Sequence, residues 1–250
     1  MKMGKYKEWK EYFQAKNKYS QNIPYCFYDL AGKYLPENKD AIIIDIGCGR
    51  SCEFENHLNL WDIYKHIILL DGNKDTIAKL IQYKYNYKRQ FTVLEYIAPG
   101  RIPLDDKSVD YIYCSHMIEH LYFMDVYNLL KEFDRVLKSR GILVIRSAML
   151  WFAFYETFDH IKPYPPLIFI QYLCGSDVDS PSYKMISNNY EVKELVYRYN
   201  THLNNDNRLG SSNKIIDFLI QGTGCISRIF RIRKYKQTGY TIILRKNDEK

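Results

Sequence analysis

The sequence predicts an α/β protein built on a mostly parallel sheet with helices on both faces. Short apolar runs rich in β-branched residues alternate with helix-like segments from residue 41 to residue 147, as in repeated strand–helix–strand units. The runs lack the alternating polarity of half-exposed strands, which indicates strands buried on both faces. Of the 250 residues, 46% are hydrophobic, enough for a sizeable core. We therefore expect a single domain over residues 1–250.

Strands and helices follow each other in a regular order along the alternating part. Five strands are predicted, over residues 41–46, 66–70, 91–96, 109–114 and 142–145. Helices are predicted between them, over residues 51–60, 74–86 and 125–137. In the last of these helices the apolar residues from Val126 to Leu137 recur three or four positions apart, which places them on one face.

The flanking segments are predicted to add helices and one hairpin. Before the sheet we expect helices over residues 5–19 and 24–35. After it, the pattern predicts helices over residues 188–199 and 214–221 and a hairpin of strands 225–233 and 240–244. Residues between the fifth strand and the first of these helices are aromatic and proline-rich, and no element is assigned to them.

Charge and composition limit the classes of function. The net charge is +7, which suits an anionic partner or simply a solvated lysine-rich surface. No apolar run approaches the roughly 18 residues of a membrane span, and no apolar segment follows the lysines of residues 1–18, so we expect a cytoplasmic protein without a signal peptide. The scattered cysteines are expected to be reduced, and Cys48 and Cys52 lack partners for a zinc site. We predict no metal site.

A glycine loop follows the first predicted strand. The segment reads IIDIGCGRS over residues 43–51, with Asp45 at the end of the strand and Gly47 and Gly49 in the loop. A parallel strand that ends in such a loop forms a ligand crevice at the carboxyl edge of the sheet. Glycine lacks Cβ, so a ligand can approach the backbone closely. A plain glycine turn is the alternative, since such turns are common in α/β folds.

Asp71 ends the second predicted strand. A carboxylate at this place can accept hydrogen bonds from both hydroxyls of a ribose. This geometry serves NAD as well as S-adenosylmethionine, so Asp71 indicates a nucleoside without identifying it.

Two later motifs favour one nucleoside over the other. The segment SHMIEHL follows the fourth strand at residues 115–121, and RVLKSRG precedes the fifth at residues 135–141. With these motifs the chain resembles the class I S-adenosylmethionine-dependent methyltransferases, in particular the small-molecule group that carries "EHL" and "RVLK". The resemblance covers roughly residues 41–147. It implies a Rossmann-like, doubly wound, mostly parallel seven-stranded sheet with an antiparallel last strand.

The resemblance also implies a division of the chain and a set of cofactor contacts. The segments are an N-terminal helical part (1–40), a cofactor-binding core (41–147), a helical and aromatic substrate-pocket insertion (148–215), and a closing helix and β-hairpin (216–250). The implied contacts to S-adenosylmethionine are Asp45, Gly47, Cys48, Gly49, Asp71, Gly72, Asn73, Ala98, Ser115 and His116. The glycine loop would face the methionine part, Asp71 the ribose, and Ser115 and His116 the sulfonium. Two positions depart from the family pattern, since Ser51 replaces a glycine and Ala98 an acidic residue near the adenine.

Methyl transfer to a hydroxyl requires the acceptor to be held in line and often needs a general base. His160, in FDHIKPY at residues 158–164, is the first candidate for a base or substrate contact. Glu119 and His120 are the second pair, with a structural helix start as the alternative. Tyr155, in an aromatic segment, is a candidate substrate contact, with core packing as the alternative. Arg228, in a basic cluster on the predicted hairpin, is another, with a solvated strand edge as the alternative.

These features together predict a methyltransferase acting on a small molecule, with oxygen as the acceptor atom. The positive charge suits a sugar nucleotide or phosphorylated precursor, and similar bacterial enzymes imply surface-glycan or capsule biosynthesis. A homo-oligomer is possible, and nucleic acid is not an expected partner because no separate binding module is present. The alternatives are an RNA or protein methyltransferase, an NAD-dependent oxidoreductase, for which Cys52 replaces an expected glycine, and a non-catalytic binding protein.

Overall fold

A single sheet organises the part of the chain that the structure describes. The structure is a computed structural model, and it describes residues 18–20, 26–87, 89–151, 153–175, 183–203, 212–229 and 233–248. The strands are β1 (Lys18–Ser20), β2 (Ile42–Ile46), β3 (His66–Asp71), β4 (Thr92–Glu95), β5 (Val109–Ser115), β6 (Leu137–Ala148), β7 (Tyr190–Leu203) and β8 (Arg233–Lys246).

The strand order is that of a doubly wound sheet with one inserted antiparallel strand. The order across the sheet is β1-β7-β8-β6-β5-β2-β3-β4. All neighbouring pairs are parallel except those of β8, which runs antiparallel to both β6 and β7. The predicted fold class is confirmed over β2 to β8, and the three-residue β1 adds an eighth strand at the edge.

Seven α-helices lie in the described residues. They are α1 (Cys26–Gly32), α2 (Glu53–His57), α3 (Leu60–Ile63), α4 (Lys74–Tyr87), α5 (Phe123–Val136), α6 (Leu167–Leu173) and α7 (Lys214–Ile229). Short 3-10 turns occur at Ile118–His120 and Phe154–Glu156. Among these helices none combines the length and apolar character that crossing a membrane would require.

Two apolar layers cover the two faces of the sheet. On one face α5 packs through the residues that the sequence predicted, including Leu129 and Phe133, both fully buried. On the other face the core contains Ala31 of α1, Phe54 of α2 and Leu80 of α4. The sheet is therefore covered on both sides, as its continuous apolar strands require.

The prediction of a helix over residues 188–199 is wrong. These residues belong to β7, which pairs with β8 along its whole length. The spacing of Val192, Leu195, Val196 and Tyr199 imitates a helix for two reasons. Lys193 is an extra residue that shifts the register between Val192 and Glu194. Leu195 and Val196 are both apolar because they pack on opposite faces of the sheet. A bulge adds one residue and so breaks the alternation that normally marks a strand.

The predicted hairpin of residues 225–233 and 240–244 is also wrong in its first strand. Residues 225–229 continue α7, which begins after Asn213; the side-chain oxygen of Asn213 accepts a hydrogen bond from the Ile215 amide at 3.0 Å. The antiparallel partners of β8 are β6 and β7. Arg228 consequently lies on a helix instead of a hairpin strand.

Smaller corrections concern the N-terminal half. The predicted helix over 5–19 falls largely outside the described residues, and its end, Lys18–Ser20, is strand β1. The helix expected over 51–60 is divided into α2 and α3 because Asn59 adopts a left-handed conformation, with φ of 52°. The second predicted helix is shorter than expected and corresponds to α1.

Candidate active site

The carboxyl ends of β2, β3 and β5 open into one cavity of about 570 Å³. Parallel strands place their carboxyl ends at the same edge, so residues distant in sequence meet there. The lining residues are Gly47, Asp71, Gly72, Asn73, Tyr96, Ile97, Ala98, His116, Met117, His120, Leu121 and Asp159. We call this space the main cavity. Its size lies within the usual range for small-molecule sites, roughly 300–1,000 Å³.

The glycine loop forms one wall of the main cavity. Gly47 and Gly49 have φ values of 72° and 65°, where L-residues with side chains are strained. A Cβ on Gly47 would lie 2.8 Å from the side chain of Met117, whereas a Cβ on Gly49 would meet nothing within 4 Å. The loop thus requires glycine at both positions for its conformation, and at Gly47 also for close packing.

Asp71 links the glycine loop to the start of α4. Its two carboxylate oxygens accept hydrogen bonds from the backbone amides of Gly49 at 3.1 Å and Asn73 at 2.8 Å. The side chain of Asn73 in turn accepts the amide of Asp75 at 2.9 Å, within the first turn of α4. The carboxylate is therefore fixed in orientation where it borders the main cavity.

A smaller cavity of about 80 Å³ lies behind the loop. Its lining includes three residues predicted to bind the cofactor, Asp45, Cys48 and Ser115, together with Gly47. Oδ1 of Asp45 is buried and receives no hydrogen bond from the described part of the chain. Burial raises the pKa of the Cys48 thiol, so this side chain is neutral at physiological pH.

Asp45 forms a buried carboxyl pair with Glu55 of α2. Both side chains are nearly fully buried, and they lie close enough for each carboxyl to affect the pKa of the other. Burial and the adjacent carboxyl raise the pKa of Asp45 well above its usual range, and burial raises that of Glu55 to about 7. The pair therefore retains at least one proton under conditions in which isolated carboxyls are ionised.

The carboxyl pair should make stability fall as pH rises. Because the pKa of Glu55 is about 7 in the folded chain against 4.5 for an unperturbed carboxyl, the folded state binds more protons across this interval. Linkage then predicts that the free energy of unfolding decreases as pH rises through this interval. The variant Glu55→Gln keeps a hydrogen-bond donor to Asp45 and should show a flatter profile.

Urea unfolding at a series of pH values tests this expectation, with the exposed Glu37→Gln as the matched control. The control should follow the wild-type profile. An unchanged slope in Glu55→Gln would show that Glu55 does not hold the proton.

His116 and Glu119 form a second buried polar group, beside the main cavity that His116 lines. Nδ1 of His116 lies 2.6 Å from Glu119 Oε1, and Arg198 Nη1 lies 3.1 Å from His116 Nε2. Since the guanidinium can only donate, Nε2 accepts and Nδ1 donates to the carboxylate. The hydroxyl of Ser147 donates to the other oxygen of Glu119 at 2.9 Å.

These contacts set the charge state of both groups. Burial and the charges of Arg146 and Arg198 lower the pKa of His116, against the opposing effect of Glu119. Burial would raise the pKa of Glu119, but hydrogen bonds from His116, the backbone and Ser147 outweigh it and lower the value to about 2. His116 is therefore neutral and Glu119 ionised at neutral pH. The backbone of His116 is left-handed, with φ of 52°.

His120 and His160 lie beside each other at the far end of the main cavity. Their ring centroids are 5.0 Å apart. Nδ1 of His160 lies 2.7 Å from the carbonyl oxygen of Phe154, and Nδ1 of His120 lies 3.2 Å from the carbonyl oxygen of Asp159. The structure thus brings together all three residues that the sequence nominated for catalysis, Glu119, His120 and His160.

Two nominated substrate contacts stand apart from this arrangement. Tyr155 is 61% exposed, packs edge-on against Phe154 and does not line the main cavity. Arg228 lies on α7, and its side chain is outside the described part of the structure.

Several contributing residues were not identified from the sequence. They are Glu55, Tyr96, Met117, Leu121, Asp159, Ser147 and Arg198. Met117, Leu121 and Asp159 adjoin nominated residues and could have been found from that adjacency. Ser147 reaches the site through the pairing of β6 with β5, and Arg198 through the pairing of β7 with β8. No local pattern in the sequence reveals either pairing.

Comparison with known proteins agrees with this geometry. Residues 44–145 match the family model described as a methyltransferase domain, whereas no curated protein matches the chain significantly. Among solved structures, a SAM-dependent methyltransferase from Archaeoglobus fulgidus is 23% identical, with a TM-score of 0.54 over 88% of this chain and 93% of the other. The YcgJ protein from Bacillus subtilis is 15% identical, with a TM-score of 0.60 over 89% and 98%.

A third solved structure is that of a geranyl diphosphate C-methyltransferase from Streptomyces coelicolor, bound to Mg²⁺, geranyl diphosphate and S-adenosyl-L-homocysteine. It is 11% identical, with a TM-score of 0.60 over 91% of this chain and 80% of the other. At these identities the structures establish a shared fold, while the matched segment carries the glycine loop, Asp71 and the segment SHMIEHL. Residues 44–145 therefore match a methyltransferase domain, and the fold of the described residues is shared with S-adenosylmethionine-dependent methyltransferases of known structure.

Proposed function

We propose that the chain transfers the methyl group of S-adenosylmethionine to an oxygen atom of a small, anionic acceptor. The observation that carries this proposal is that Asp71 and His120 line the same main cavity. A nucleoside held at Asp71 and an acceptor beside the histidines would thus meet within one cavity. Holding donor and acceptor together is the main requirement of an in-line transfer.

The described residues fit the cofactor. Asp71 presents a fixed carboxylate to the ribose hydroxyls, and Gly72, Asn73 and the backbone near Ala98 border the adenosine side. The buried Oδ1 of Asp45, which receives no hydrogen bond from the described residues, can accept one from the amino group of the methionine part. Gly49 faces open space, and Gly47 and Cys48 line the smaller cavity, which supports placing the methionine part there. Ser115 and His116 would adjoin the reacting centre.

The acceptor end offers groups suited to a hydroxyl. His120 lines the main cavity, and His160 lies against it. An unprotonated imidazole nitrogen there can receive the proton of a hydroxyl as the oxygen forms its bond to the methyl carbon. The bond from that carbon to sulfur breaks at the same time and leaves neutral S-adenosylhomocysteine.

The substrate class is proposed from charge and position. The net charge of +7 favours a phosphorylated or nucleotide-linked sugar. Residues 148–215 would supply the acceptor wall, since His160 and Lys162 belong to them; Lys162 lines a neighbouring cavity of about 290 Å³. We place the enzyme in the cytoplasm, in the biosynthesis of a surface glycan, as a single domain that could form a homo-oligomer.

A product assay tests the proposed acceptor class. The purified chain is incubated with methyl-labelled S-adenosylmethionine and matched pairs of sugars, each with and without its phosphate or nucleotide. We expect label in the charged member of at least one pair, on an oxygen that mild acid does not release. Transfer only to uncharged sugars, to RNA or to protein would contradict the proposed substrate class, and transfer to none would contradict turnover.

A further inference from the structure

Three side chains at the acceptor end converge in a manner that suits a metal ion. Glu119, His120 and His160 each offer one ligand atom, and these atoms all lie within 4.8 Å of one another. An ion with bonds of about 2.0–2.2 Å holds its ligand atoms roughly 3–3.5 Å apart, so side-chain shifts of about 1 Å close the site. We infer that these three side chains bind a divalent first-row metal ion at the edge of the main cavity.

The protonation of the two imidazoles is already set for binding. The carbonyl oxygen of Phe154 can only accept, so the proton of His160 lies on Nδ1, and Nε2 keeps its lone pair. The same reasoning applies to His120, whose Nδ1 lies 3.2 Å from both the carbonyl and a carboxylate oxygen of Asp159. Donation of Nδ1–H to a carbonyl or carboxylate is the usual support for a histidine that ligates a metal through Nε2.

Glu119 is held in place from several sides. His116 and Ser147 each donate to one of its oxygens, which leaves further lone pairs on both. The carbonyl oxygen of Glu119 accepts the amides of Ile161 at 2.8 Å and Lys162 at 3.3 Å. These backbone bonds fasten the segment that carries His160 directly against Glu119, which explains why the three side chains meet although His160 follows β6.

The donor set determines the class of metal. Two imidazoles and one carboxylate favour Zn²⁺, Mn²⁺, Fe²⁺ or Co²⁺ over Ca²⁺, which prefers oxygen ligands alone. The charges of Glu119 and the neighbouring Asp159 also attract a cation. The sequence predicted no metal site because it offered no suitable ligand spacing around the cysteines. His160 follows β6 and is distant in sequence from Glu119 and His120, so only the fold brings the three together.

A metal at this place would act on the acceptor, a role that rests on the proposed function. Since three protein ligands leave coordination positions open toward the cavity, a substrate hydroxyl could bind there. Coordination lowers the pKa of the hydroxyl, whose proton passes to solvent. The resulting oxygen forms the new bond to the methyl carbon as the carbon–sulfur bond breaks, and the histidines then serve as ligands instead of bases.

Metal binding can be measured without turnover. The full chain is treated with a chelator, desalted, and titrated calorimetrically with Zn²⁺ and with Mn²⁺. We expect one ion per chain, with affinity reduced about 100-fold or more in His120→Asn and in His160→Asn. Asparagine keeps a donor near the position of Nδ1 while it removes Nε2, so the bonds to Asp159 and Phe154 can persist. His66→Asn, at an exposed position at the start of β3, should bind the ion like the wild type.

The same preparations are titrated with S-adenosylhomocysteine and melted thermally. If the metal-free chain still binds S-adenosylhomocysteine, its cofactor site is intact. A loss of metal binding then concerns the metal site alone. Equal affinity for the ion in wild type and both asparagine variants, or no binding of either ion by the wild type, would overturn the metal site. Should His160→Asn lower the melting temperature, His120→Asn decides the result, because its side chain is partly exposed.

Discussion

Asp71→Ala is expected to lower the affinity for S-adenosylhomocysteine at least about 100-fold. The ribose loses two hydrogen bonds to a charged acceptor, each worth roughly 1.5–3 kcal/mol, and about 1.4 kcal/mol corresponds to a factor of ten. The amides of Gly49 and Asn73 also lose their acceptor, so the glycine loop is less well fixed. Calorimetric titration of wild type and variant, with NAD in parallel, measures the effect.

Two further variants separate the ribose contact from the loop contacts. Asp71→Asn keeps one acceptor oxygen and should lose less affinity than the alanine variant. Asp75→Ala, an exposed acidic residue in the first turn of α4, should bind like the wild type. Unchanged binding in Asp71→Ala would remove Asp71 from the site, and binding of NAD instead of S-adenosylhomocysteine by the wild type would contradict the cofactor assignment.

Glu119→Ala is expected to be the most destabilising single substitution in the site, by about 3–5 kcal/mol. The carboxylate is fully buried and accepts hydrogen bonds from His116 and Ser147. Removing the carboxylate leaves His116 and Ser147 without this acceptor. It also removes the negative charge beside His116, which Arg198 contacts, and it creates a cavity. Urea unfolding followed by circular dichroism reports the change as a lower midpoint.

Glu119→Gln distinguishes shape from charge. Glutamine fills the same space and can accept from His116 while its amide meets the hydroxyl of Ser147, so it should cost less stability than alanine. Glu95→Ala, exposed on β4, should change the midpoint little. If Glu119→Ala unfolded at the same urea concentration as Glu95→Ala, the buried group would not contribute to stability as described.

The parts of the fold that could be predicted are those whose pattern is set by neighbours along the chain. Ile42–Ile46 is apolar on both faces and could only be a central strand, and the single apolar face of α5 identified its helix. At the site, Asp71 was found because it ends a predicted strand, whereas His116 was implied by the resemblance that the segment SHMIEHL carries. Adjacent parallel strands then bring these positions to one edge of the sheet.

The parts that could not be predicted depend on distant pairing. The extra residue Lys193 and the burial of both faces of β7 gave it helical spacing, so the strand was predicted as a helix and the contact of Arg198 with His116 was not anticipated. Glu55 lies in a short helix where a glutamate is normally solvated, and only the tertiary contact with Asp45 buries it. Sequence patterns report the average environment of a residue type, and both cases depart from that average.

The position of β8 has a consequence for how the chain is made. This strand is the last of the eight in sequence, yet it lies inside the sheet, between β6 and β7. Until residues 233–246 have left the ribosome, β6 has no partner on one side and β7 has none on its inner side. The nascent chain therefore carries two open edges bordered by apolar side chains, which are the features that promote aggregation. Its safe synthesis depends on how quickly β8 pairs with β6 and β7 once residues 233–246 have emerged.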